Sequence, residues 1–226
     1  MEQPAPYINV HSHHVQVPDG EQVVLYSHKL HEHLPSKVGQ EVCFTAGLHP
    51  WHVRDFDLSN LQDHLVGCLE YQHFLGVGEI GLDKVNGSDM ESQQAAFVQQ
   101  VEWAEHHQLP VVIHNVKADG ELMALRKQYS QTKWIIHGFR GNAQQAAHWL
   151  DKGCYLSIGT DVFRRSSKLK EVIPSIPFQQ LFVETDEVPV DKIAGIYEKI
   201  AQLKETSIER LRKEVYNNFI KVFIDE

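Results

Sequence analysis

The sequence predicts an α/β fold, a parallel (β/α)8-type barrel that is distorted at its first strand-to-strand connection. Two observations predict the barrel. Short apolar runs alternate with amphipathic stretches through all 226 residues, the order of elements that gives a parallel sheet covered by helices. Eight runs can be counted, and several are continuous in Val, Ile, Leu and Phe, as expected of strands buried on both faces. A third observation predicts the distortion: the first two runs lie too close in sequence for an ordinary crossover.

The expected strands are Tyr7–His13, Gln22–Ser27, Val42–His49, Phe74–Ile80, Pro110–His114, Lys133–His137, Cys154–Ile158 and Leu181–Thr185. Helical periodicity separates most of them. "SNLQDHLVGCLEYQ" sets Leu61, Leu65 and Leu69 four apart, with Ser59 as N-cap. "DMESQQAAFVQQVEWAEHHQ" aligns Phe97, Val101, Ala104 and Gln108. In "GNAQQAAHWLDKG", Asn142 is the expected N-cap and Gly153 the stop. "TSIERLRKEVYNNFIKVF" opens with a capping box, Thr206 and Glu209, and aligns Ile208, Leu211, Val215, Phe219 and Val222. Only His14 to Glu21 separate the first two strands, whereas a parallel crossover takes about a dozen residues or more. "VPDG" in that stretch is a turn signal. A hairpin, or an irregular entry of the second strand without a crossover helix, is therefore expected. With no linker and no internal repeat, residues 1–226 read as a single domain.

Composition narrows the function classes. Hydrophobic residues make up 42% of the chain, enough for a sizeable core. The start, MEQPAPY, lacks the basic and apolar regions of a signal peptide, and no apolar run nears the roughly 20 residues of a membrane span. The odd, scattered Cys43, Cys68 and Cys154 form no C-x-x-C pair and read as free thiols of a reducing cytoplasm. The net charge of −9 argues against nonspecific capture of nucleic acid, which needs clustered Lys and Arg. It leaves a nucleic-acid substrate open, since bound divalent cations supply local positive charge. Histidine is unusually abundant, at 15 residues.

The strand ends carry the chemistry. In "INVHSHH", strand alternation puts His11 and His13 on one face, with Ser12 and His14 on the other. "FLGVGEIGLD" carries Glu79, "PVVIHN" ends in His114, "KWIIHGF" in His137, and "LFVETDE" in Glu184 and Asp186. In barrel enzymes the C-terminal ends of the strands form the active site. His11, His13, Glu79, His114, His137 and Asp186 are too many ligands for one tetrahedral zinc with an open position, so two divalent ions are expected. Glu79 would bridge them, His11, His13 and Asp186 completing one shell and His114 with His137 the other. Mixed nitrogen and oxygen ligation suits Zn, Mn, Fe or Ni and leaves Mg possible. Two ions ~3.5–4 Å apart would activate a bridging water, with Asp186 as general base. The reaction class is hydrolysis.

"INVHSHH", "AGLHPW", "GVGEIGLDK", "PVVIHNVKA", "WIIHGFRG" and "LFVETDE" resemble, in that order, the successive motifs of the TatD family of metal-dependent hydrolases, with the likeness running on to "NNFIKVF". The resemblance implies a TIM-like barrel of the amidohydrolase superfamily, a divalent-metal centre and, often, deoxyribonuclease activity. It carries over the same six ligands. Some positions depart from the family: Asn9 stands where an acidic residue is usual, "NVKA" follows His114, Arg140 sits in "FRG", and "EVPV" follows Asp186. These alter the pocket rim and no ligand.

His49, in "GLHPW", and Arg140 are candidate substrate contacts, Arg140 through its planar fork. Lys117 could bind phosphate, although a solvated lysine fits equally, and Glu184 could support a ligand or form an interior ion pair. His28, His31, His33, His106 and His107 read as solvated, and Trp51 and Trp103 as packing residues. The leading expectation is a cytoplasmic, monomeric phosphodiesterase acting on DNA ends or nucleotides. A binuclear amidohydrolase cleaving an amide or ester of a small metabolite is the alternative, favoured by the acidic surface. A noncatalytic metal-binding scaffold is a third reading. The polymerase-and-histidinol-phosphatase hydrolases also begin with H-x-H, but they normally close on aspartate and histidine two apart, and Val188 follows Asp186 here at that spacing.

Overall fold

The computed structural model describes residues 4–16 and 20–225. The strands are β1 (Tyr7–Ser12), β2 (Gln22–Lys29), β3 (Phe44–Gly47), β4 (Phe74–Asp83), β5 (Val111–Val116), β6 (Trp134–Ile136), β7 (Tyr155–Ile158) and β8 (Leu181–Val183). They form one sheet in sequence order, β1 through β8. Beyond β8, Asp186 makes a parallel bridge to Ser12 at the end of β1. That order, with the last strand returning to the first, is the (β/α)8-type arrangement that the alternation of elements predicts. All eight expected strands are present, with ends shifted by up to three residues.

The chain divides into two compact units: residues 1–26 with 137–226, and residues 27–136. In the first, β1 pairs with β2 and β7 with β8, both parallel. The buried Tyr197 of α6 (Ile193–Leu203) holds β1 by accepting from the Ile8 amide at 3.1 Å and donating to the Ile8 carbonyl at 2.9 Å. Helix α4 (Ala143–Asp151) starts at Asn142 with a full capping box involving Gln145, and Gly153 follows its last turn. The short α5 (Leu169–Val172) precedes β8. Helix α7 (Ile208–Phe219) buries Leu211, Val215 and Phe219, with Val222 buried just beyond. Its cap is Ser207, which accepts from the Arg210 amide, so the expected Thr206–Glu209 box is displaced by one residue.

In the second unit, β3, β4, β5 and β6 pair in parallel succession. Helix α1 (Leu61–Cys68) buries Leu61, Leu65 and Cys68, whereas Leu69 lies past its end and is exposed. Ser59 is not its cap: a 3-10 turn at Leu58–Asn60 precedes the helix, and Asp57 caps that turn by accepting from the Ser59 amide. Helix α2 (Met90–His106) buries Phe97, Val101 and Ala104 as expected, but Gln108 lies outside it, exposed at φ 57°. The face instead includes the buried Gln93 and Gln100. Helix α3 (Asp119–Gln128) completes the unit. The three cysteines are free thiols, Cys43 half-buried and the others buried.

The hairpin expected at the start does not form. β1 and β2 run parallel, in the register Tyr7↔Gln22, Ile8↔Val23 and Asn9↔Val24, with a shift between Asn9 and Ser12. The described residues of the connection carry no helix. The "VPDG" turn falls on Val17, Pro18 and Asp19, which lie outside the described residues. Length explains why no helix is required. β1 is six residues long, about 20 Å at the usual strand rise. The nine residues from His13 to Glu21 span up to about 30 Å when extended. The return lands at the start of β1, where the Tyr7 amide donates to the Glu21 carbonyl at 2.8 Å.

Candidate metal-binding site

In the first unit, His11 ends the regular part of β1 and is buried, while His13 follows it and is partly exposed. The ladder does not stop at β8. The Asp186 amide donates to the His11 carbonyl at 3.0 Å, and the His13 amide to the Asp186 carbonyl at 3.1 Å. This pairing fixes Asp186 against the two histidines. Asp186 adopts φ 56°, a conformation that aspartate tolerates better than most residues. Its Oδ1 lies 3.6 Å from His11 Nε2 and 3.5 Å from His13 Nε2. Donors that share a tetrahedral cation at ~2.0–2.2 Å stand about 3.4 Å apart, so this triad has the spacing of a ligand set.

His137 follows β6, and its ring is tilted against that of His11 with centroids 4.3 Å apart. Its Nδ1 lies 3.5 Å from Oε1 of Glu184, which is fully buried. Gly138 donates its amide to the same oxygen at 2.6 Å, from φ 54°, where glycine carries no Cβ penalty. Burial opposes the charge on Glu184, but the His137 hydrogen bond and the His137 and His11 rings hold its carboxyl below the usual glutamate range. Glu184 therefore positions His137, the supporting role that its strand parity suggested. The ETD segment is braced from β1: Asn9 Oδ1 accepts from the Thr185 amide at 3.0 Å, and Asn9 Nδ2 donates to Thr185 Oγ1 at 2.8 Å. The amide that departs from the family's acidic residue is thus fully engaged in positioning Asp186's segment.

In the second unit, Glu79 from β4, His114 from β5 and His49 beyond β3 form another cluster. Glu79 Oε1 lies 2.6 Å from His114 Nδ1 and 3.3 Å from His49 Nε2, and the two imidazole nitrogens are 3.2 Å apart. Gly81 explains the close approach of β4 to β5, because any Cβ there would collide with the His114 carbonyl. Asp83, two residues further along the strand, contacts the outer nitrogen, its Oδ2 lying 3.3 Å from His114 Nε2. The same oxygen accepts from Trp51 Nε1 at 2.7 Å, while Oδ1 accepts from the Val85 and Asn86 amides at 2.7 and 2.9 Å. Burial works against ionisation of Asp83, but these donors, Asn86 foremost, outweigh it and keep the carboxyl below its ordinary value. An ionised carboxylate only accepts, so the hydrogen of His114 sits on Nε2 and the Nδ1 lone pair faces Glu79. Two acceptors at that separation call for a proton or a cation between them. The carboxylate–histidine pairing is the support that metal-ligating imidazoles usually have.

Two buried glutamines on α2 hold these strand ends. Gln93 clasps both backbone groups of Asp83, accepting from its amide at 2.8 Å and donating to its carbonyl at 3.0 Å. Gln100 does the same for Leu48, next to His49, at 2.7 and 3.2 Å.

The remaining candidates are placed as follows. His49 joins the second cluster, and its Nδ1 accepts from the Trp51 amide at 3.2 Å. Arg140 is exposed and faces Asp161 at 3.9 Å. Lys117 is exposed at the end of β5. His28 is not solvated: it is 5% exposed, and burial lowers its pKa to about 4. Of the other histidines read as solvated, His31, His33 and His106 are exposed, but His107 is half-buried, its ring 4.1 Å from that of Trp103. Trp103 packs as expected, but Trp51 is 49% exposed. Asp83 and Gln93 were missed by sequence reasoning. Asp83 shares strand parity with Glu79 in "GEIGLD", a signal that was available. A buried glutamine gives no such signal.

Comparison with known proteins settles the family. The sequence model described as TatD-related DNase matches residues 16–224. The chain belongs to this family. It is a metal-dependent hydrolase with a TIM-like barrel fold. It is 29% identical over 205 residues to the uncharacterised metal-dependent hydrolase YjjV of Escherichia coli K12, covering 81% of this chain and 77% of the relative. The 3'-5' ssDNA/RNA exonuclease TatD of Citrobacter koseri is 31% identical over 147 residues, 63% of this chain and 56% of that protein. The crystal structure of a TatD family hydrolase from Entamoeba histolytica covers 99% of both chains, with a TM-score of 0.77 and 16% identity. Among the described residues, no helix is long and apolar enough to cross a membrane.

Proposed function

We propose that the chain is one domain, a hydrolase of phosphodiester bonds acting on DNA ends or small nucleotides, with two divalent cations held by His11, His13, Glu79, His114, His137 and Asp186. The observation that carries this reading is that every one of the six side chains lies in a cluster whose donor atoms fall within 4.8 Å of one another. Their mix of imidazole and carboxylate suits Zn, Mn or Mg. Relatives named as ssDNA/RNA exonucleases support a nucleic-acid substrate.

Bound divalent cations would neutralise charge on the scissile phosphoryl group and make a water more acidic. The chain supplies the rest. Asp186, part-exposed with Oδ1 toward His11 and His13, accepts the proton of the attacking water and returns it to the leaving oxygen. Glu184 keeps the His137 ring oriented, and Asp83 keeps the hydrogen of His114 on Nε2, so that Nδ1 presents its lone pair. The half-buried and buried settings of these groups limit competing water.

Asp186→Asn tests the assignment. It should leave the unfolding midpoint near that of the parent and lower the hydrolysis rate by at least a hundredfold; an undiminished rate contradicts the role of Asp186. The net charge of −9 favours a second reading, hydrolysis of an amide or ester of a small metabolite. Salt separates the two, because binding to a phosphate backbone weakens steeply between 50 and about 200 mM salt, whereas capture of an uncharged metabolite does not.

A further inference from the structure

Trp51 departs from the packing role that its type suggests, and its setting is unusual. Half of its surface is open, at 49%, yet its indole N–H is already committed to Asp83 Oδ2 at 2.7 Å. The ring stands edge-on to His49 and His114, with centroids 4.8 and 6.0 Å away. A tryptophan whose one polar atom is tied down can offer a ligand only its face, and that face adjoins two histidines of the second cluster. On the other oxygen of the same carboxylate, the Val85 amide is bound at 2.7 Å, and its side chain is 56% exposed. Asp83 and the loop after it, residues 84–88, line an open cavity of 350 Å³. Two exposed apolar groups are thus tethered to one buried carboxylate beside a cavity.

We propose that Trp51 is a stacking platform for a flat aromatic ring, a nucleobase of the substrate, and that Asp83 serves as its positioning residue. This deepens the phosphodiesterase reading and rests on it for the identity of the ring. Stacking tolerates any base, because every base has a π-face, so the platform confers a preference for base-bearing strands and little sequence selectivity.

The experiment compares a single-stranded thymidine oligomer with an oligomer of abasic deoxyribose phosphates of equal length, each hydrolysed by the full chain. In Trp51→Ala, the kcat/KM preference for the thymidine oligomer should fall about tenfold, most of it through KM. Trp51→Phe, which keeps a ring, should restore at least half of that preference. Equal losses on both oligomers, or no loss on either, overturn the platform while leaving the hydrolase reading intact. If neither oligomer is hydrolysed, the phosphodiesterase reading fails, and quenching of tryptophan emission by thymidine monophosphate decides the platform alone. Quenching present in the parent and lost in Trp51→Phe supports it; equal quenching in both, or none, overturns it.

Discussion

Asp83→Asn probes the support of His114 more sharply than removal of a ligand would. Each carboxylate oxygen accepts from two donors: Oδ1 from the Val85 and Asn86 amides, Oδ2 from Trp51 Nε1 and His114 Nε2. An asparagine has one oxygen, so in either orientation its NH2 group confronts two N–H donors. Leaving a buried donor unsatisfied costs about 1–3 kcal/mol. The Val85 and Asn86 amides are the more exposed pair, so the amide should turn its nitrogen toward them, with a loss of about 2 kcal/mol. His114 then keeps an acceptor but loses its charge-assisted partner, which typically weakens metal affinity 10- to about 100-fold. Urea denaturation reads the first effect, and competition with a metallochromic chelator reads the second. A variant with the parent's unfolding midpoint and cation affinity refutes the assignment of Asp83 as the support of His114.

Three further outcomes are expected. Asn9→Ala removes two buried hydrogen bonds to Thr185 and should lower unfolding stability by about 2–4 kcal/mol, with hydrolysis falling as the Asp186 segment loosens; urea denaturation and initial rates check both. His28, with its pKa lowered to about 4 by burial, binds its proton less readily when folded than when unfolded. Its contribution is full above about pH 6.5 and is lost as pH falls toward 4, at up to about 1.4 kcal/mol per unit; denaturation midpoints across that window should slope less in His28→Gln. Chelation of divalent ions should abolish hydrolysis, and readdition of Mn, Zn or Mg should restore it, as read by initial rates.

The strand ends were legible because they break a rule. A core strand should finish apolar, and imidazoles or carboxylates at Glu79, His114 and His137 interrupt runs that are otherwise Val, Ile and Leu. Parity also carried Asp186 and Glu184, and it would have carried Asp83. The hairpin failed because turn chemistry and connection length were weighed against a helical crossover, whereas an extended return also fits nine residues. The caps slipped by one or two residues at α1 and α7 because neighbouring Asp57, Ser59, Thr206 and Ser207 all have capping side chains, and tertiary packing chooses among them. Gln93, Gln100, His28 and Trp51 lay outside what pattern could reach. Polar residues are usually exposed and tryptophans usually packed, and only the backbone groups and carboxylate around them reverse that default.

The most direct test of the proposed centre is the number of divalent cations retained per chain after dialysis, measured by elemental analysis of the parent and of Glu79→Gln. Two per parent chain, falling to one or fewer in the variant, is the expected result. A parent that retains none in the presence of Zn, Mn or Mg, or a variant that retains as many as the parent, contradicts it.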